Sequence, residues 1–130
     1  MKILINDHRK LFAIQKEFRE MFPYLKLEFF SKPNKVGAPS SLKKMKDPGN
    51  TIGQCRVIHN NGTLTITPAM TVADLENGFS DVFGLTVKVF RKSGKVWFNT
   101  SATVGLTLES QNKEGKELSE YYEEKHFEKV

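Results

Sequence analysis

Shifted by 61 positions, the first quarter of the chain falls on its middle with polarity kept at nearly every position. Ile3 lands on Leu64, Ile5 on Ile66, Leu11 on Val72, Ile14 on Leu75, Phe18 on Phe79 and Phe22 on Phe83. One residue is lost where Pro23-Tyr24 meets Gly84, and the offset becomes 60, so that Leu25 meets Leu85, Leu27 Val87, Phe29 Val89 and Phe30 Phe90. Self-similarity at a fixed offset constrains a chain strongly, because both copies must bury the same pattern. The spacing predicts one domain over 1–130 holding two copies, about 1–40 and 61–101.

Within each copy the period changes along the chain. Alternation along Lys2-Ile3-Leu4-Ile5-Asn6 predicts a strand with Ile3 and Ile5 turned inward. Leu11, Ile14, Phe18, Met21 and Phe22 then recur at helical spacing, predicting a helix over about 8–22 with Asp7 as its N-cap, stopped by Pro23. Leu25, Leu27 and Phe29 alternate again. In the second copy Thr71-x-x-Asp74 reads as a capping box and Gly84 as a left-handed helix end. Ser93-Gly94 turns the strand of Val87 and Val89 into one carrying Val96 and Phe98. Between the copies, 32–52 is rich in Lys, Pro, Gly and Ser and reads as a long loop. Gln54–His59 reads as a further strand, turned by Asn60-Asn61-Gly62 into 63–67. A polar helix over about 107–125, opened by Thr107 and weakened at Gly115, closes the chain. The predicted class is α+β: two β-α-β-β repeats forming one mainly antiparallel sheet, ferredoxin-like or related, plus the C-terminal helix.

Size and composition suffice for an unaided core. A chain of 130 residues buries roughly two-thirds of its unfolded surface, and 38% of the residues are hydrophobic. The single Cys55 makes no internal disulfide, which suits a reducing compartment. The apolar run in MKILIN is shorter than the roughly 7–15 residues of a signal peptide. A cytoplasmic protein with no membrane partner is expected.

The net charge of +5 is uneven: residues 1–60 carry twelve Lys/Arg against five Asp/Glu, and 61–130 carry eight against ten. Lys32, Lys35, Lys43, Lys44 and Lys46 share one stretch that meets no acid until Asp47. They read first as a solvated linker and second as an arm for phosphates or an acidic protein.

Residues that carry catalysis are sparse. His8, His59 and His126 show no metal-ligand spacing, Cys55 has no CxxC partner, and the glycines form no phosphate-binding pattern. Neither metal nor cofactor is expected, and the reading leans away from an enzyme. A small hydrolase or isomerase using Asp7, His8 or His59 at strand ends is the alternative. The outer sheet face holds more chemistry. If Leu25, Leu27 and Phe29 face the helices, then Phe30, Phe90 and Trp97 face away, interleaved with Lys26, Lys88 and Lys95. The C-terminal helix, with Leu108, Leu118, Tyr121, Tyr122 and Phe127, is expected to cover that face. A homodimer across it comes second, and single-stranded nucleic acid stacked on its rings third. The best functional expectation is a non-catalytic protein-binding or self-associating domain, with nucleic acid as the alternative partner.

Overall fold

A computed structural model describes residues 1–31 and 46–128, the side chains of 124–128 excepted. The elements are β1 (Lys2–Ile5), α1 (Leu11–Met21), β2 (Leu25–Phe30), β3 (Gly62–Thr65), α2 (Val72–Phe83), β4 (Thr86–Ser93), β5 (Val96–Asn99) and α3 (Leu108–Glu128). Short 3-10 turns lie at Gly53–Cys55 and Ser101–Thr103. The fold is α+β, with two antiparallel sheets and three helices.

The expected single sheet is two. Among the described residues β1 pairs only with β3, and β2-β4-β5 form a separate three-stranded sheet. β2 commits six residues to β4, from Leu25 opposite Arg91 to Phe30 opposite Thr86. The four-residue β1 is satisfied along β3, from Lys2 opposite Thr65 to Ile5 opposite Gly62. Each pairing sets one residue opposite the one that the 61/60 offsets assign to it, Ile3 opposite Leu64 and Glu28 opposite Lys88.

Burial follows the period read from sequence. Ile3, Ile5, Leu11, Ile14, Phe18, Phe22, Leu25, Leu27 and Phe29 are buried, and so are Leu64, Ile66, Val72, Leu75, Phe79, Phe83, Leu85, Val87 and Val89. The two halves meet where Phe29 of β2 packs edge-on to Phe79 of α2, ring centroids 6.0 Å apart. Such pairs add about 0.5–1.5 kcal/mol beyond their buried area. Thr71 and Asp74 close a reciprocal capping box on α2, and Gly84 ends that helix at φ 65°.

Four local expectations fail for physical reasons. Asp7 caps no helix: α1 starts at Leu11, and its first amides donate to the main-chain oxygens of Asn50 (3.0 Å) and Pro48 (3.1 Å). Gln54–His59 forms no strand, because Arg56 turns inward and binds Asp7, Asn60 and Phe83. Asn60-Asn61-Gly62 makes no hairpin. The Asn60 amide instead donates to the Val82 carbonyl, and β3 pairs with distant β1. Lys95 stands in the loop joining β4 to β5, outside both strands.

The C-terminal helix also lies elsewhere than expected. Arg91 is opposite Leu25 and therefore shares the core-facing side of the sheet. There its guanidinium donates to Gln111 (3.1 Å) and Glu114 (2.7 Å) of α3. Over its described side chains, to Glu123, the face that α3 buries is Leu108, Gln111, Gly115 and Ser119, a narrow stripe of mostly small and polar residues. Gly115 is a point of closest approach: a Cβ there would stand 2.9 Å from Tyr24 Cβ and 3.1 Å from the Lys92 carbonyl oxygen.

Gly115→Ala should therefore reverse the usual sign. An exposed helix gains about 1 kcal/mol from such a change, whereas overpacking costs about 1–3 kcal/mol. Urea denaturation should show the variant less stable than the parent protein.

Candidate functional site

Strand alternation builds the outer face. Lys26, Glu28 and Phe30 of β2 share it with Thr86, Lys88, Phe90 and Lys92 of β4, and Trp97 of β5 stands opposite Lys92. Phe30 and Phe90 stack with centroids 6.5 Å apart and planes 26° off parallel. Lys26 Nζ lies 4.9 Å from the Trp97 ring centroid, and the Arg19 guanidinium of α1 lies 5.0 Å from it. These distances suit cation–π attraction. The structure thus joins five of the residues expected here, Lys26, Phe30, Lys88, Phe90 and Trp97, and adds Arg19, which strand alternation does not reveal.

Much of this charge is answered internally. Lys26 Nζ is 3.4 Å from Glu28 Oε1, and Lys88 Nζ is 3.2 Å from Glu76 Oε1 of α2. Gln15 of α1 donates to the Leu27 carbonyl (2.8 Å) and to Glu28 (3.4 Å). The Lys46 amide donates to the Phe29 carbonyl (2.7 Å), which sets Lys46 beside the edge of β2 that faces away from β4. Lys35, Lys43 and Lys44 lie outside the described residues. An open groove of about 540 Å³ runs between α1 and β2, walled by Lys16, Arg19, Glu20 and Pro48.

A second, larger groove of about 880 Å³ lies on the other side of the hairpin, between β5 and the last described turns of α3. Its walls include Lys92, Lys95, Val96, Phe98, Tyr122 and Glu123. Val96 and Phe98 are 54% and 52% exposed, unusual for apolar residues on consecutive inward positions of a strand. Gly94, at φ 64°, lets the hairpin turn close over the Tyr122 ring, which a Cβ there would approach to 3.3 Å.

A polar cluster ties the loop before β3 to the end of β1. Asp7 Oδ1 accepts from Arg56 Nε (3.0 Å) and Nη2 (2.9 Å), and Asp7 Oδ2 is 2.8 Å from His59 Nδ1. The Arg56 side chain is fully buried, and Nη1 donates to the carbonyls of Asn60 (2.7 Å) and Phe83 (3.1 Å). Sequence reading missed Arg56, since nothing local marks a partner 49 positions away. The His59 bond, and then Arg56, hold the Asp7 carboxyl below its ordinary pKa. His59 is 52% exposed, and neither of these two grooves reaches it. Cys55 is half-buried, and burial pushes its thiol up, away from the reactive thiolate. No group of three or more His, Cys, Asp or Glu among the described residues could hold a metal ion. No described helix is long and apolar enough to cross a membrane.

No family model, curated protein or solved structure matches this chain.

The Asp7 pairing has a signed consequence. A carboxyl with a depressed folded pKa adds stability above its unfolded value, about pH 4, and loses it as pH falls through the folded value. Asp7→Asn should therefore lower the melting temperature at pH 7, and the gap to the parent should narrow below about pH 4. Parallel melting curves from pH 7 down to pH 2.5 would check both directions.

Proposed function

We propose that this protein is a non-catalytic binding domain that engages a polypeptide, including a second copy of itself, along β5. The observation that carries this reading is the pair Val96 and Phe98, half-exposed on a strand paired on one side only among the described residues. An edge strand offers unpaired main-chain groups that template pairing with another chain. The neighbouring groove supplies Tyr122 as an apolar wall and lysines at its rim.

A second reading is favoured by Arg19 and Lys26 lying over Trp97. Single-stranded nucleic acid could stack on the outer face there, with these cations meeting phosphates. It ranks second because Lys26 and Lys88 already face carboxylates.

We also propose that the halves are copies of one unit. Matching burial in both halves supports it, as do pairing registers that set Ile3 opposite Leu64 and Glu28 opposite Lys88.

Sedimentation over a concentration series separates the two binding readings. Association lost in Phe98→Asp is expected, because truncating a central aromatic anchor typically costs about 2 kcal/mol or more. A monomer at every concentration, with Trp97 emission that responds to single-stranded oligonucleotide and loses that response steeply with salt, would move the assignment to nucleic acid.

A further inference from the structure

The backbone bonds that close the starts of α1 and α2 come in matched pairs. Leu11 donates to the Asn50 oxygen (3.0 Å), and Val72 to the Leu106 oxygen (3.1 Å). Phe12 donates to Pro48 (3.1 Å), and Ala73 to Val104 (2.9 Å). In return Ile52 donates to Arg9 and Leu108 to Met70, both at 2.8 Å. Gly53 donates to Asp7 (3.1 Å) and Glu109 to Pro68 (3.0 Å). Bridges at Lys10–Thr51 and Thr71–Thr107 complete the match. The receiving segments share a short pattern, Gly49-Asn50-Thr51-Ile52 and Gly105-Leu106-Thr107-Leu108, in which Ile52 and Leu108 are fully buried.

Each segment is a strap. It supplies the carbonyl acceptors that helix-start amides need and drives one apolar side chain into the core. The two straps differ in how the chain leaves them. After Leu108 it continues directly into α3, where Gln111 Nε2 binds back to the Thr103 carbonyl (2.9 Å) and Gly115 and Ser119 are buried. After Ile52 it makes one 3-10 turn, and Arg56 then fastens it to Asp7.

We infer that residues 47–54 form a strap that opens as a unit while the sheets stay folded, and that 103–110 is its counterpart, locked shut by α3. The duplication proposed above identifies the counterpart. Amide exchange reads opening directly and does not depend on how the halves arose.

Local openings with few anchoring contacts exchange amide hydrogens faster than the global core. Native-state hydrogen exchange on the whole protein should give Leu11, Phe12, Ile52 and Gly53 one shared protection level. That level should be roughly tenfold or more below the level of Val72, Ala73, Leu108 and Glu109. Thr51→Val removes the hydroxyl that accepts from the Gln54 amide at 3.3 Å. It should lower protection of the first four amides severalfold and leave the second four unchanged. Equal protection of the two sets, or an equal response of both to Thr51→Val, would overturn the inference.

Discussion

The antiparallel pairing of β2 with β4 is the constraint on which the rest of the structure depends. It joins the second strand of one half to the second strand of the other and turns Leu27, Phe29, Val87 and Val89 toward one core. Phe29 meets Phe79 across the halves, so α2 packs partly on a strand that is not its neighbour in sequence. The pairing also defines a reverse side, where Phe30 and Phe90 stack and Lys26 lies beside Trp97.

Sequence was most informative where side-chain period decides structure. The helical stripe of Leu11, Ile14 and Phe18 and the alternation of Leu25, Leu27 and Phe29 needed no knowledge of distant contacts. The Thr71–Asp74 box was equally legible, because its partners sit three residues apart. What failed was non-local. Asp7 looked like a cap because a cap is the commonest use of Asp before an apolar stripe. Its real partners, Arg56 and His59, are about fifty positions away. The true acceptors for α1 are main-chain carbonyls, which leave no side-chain signature at all.

The aromatic and basic side chains of the outer face were legible from strand alternation, yet their surroundings were not. Arg19 joins them from a helix, and Glu76 answers Lys88 from another. The larger apolar groove escaped notice because it needs α3 on the core-facing side. A helix with Leu118, Tyr121 and Tyr122 suggested an apolar footing, while its buried stripe runs instead through Gln111, Gly115 and Ser119.

That stripe determines how α3 would come away. Between Glu109 and Glu123 it hides little hydrocarbon, so detaching that stretch would expose little surface and add little to the heat capacity or to the response to urea, since both scale with newly wetted surface. The Arg91–Glu114 contact and the Ser119 hydroxyl on the Gly94 amide are polar links instead. Ionic strength therefore bears on this helix through the Arg91–Glu114 pair, an attraction that salt screens.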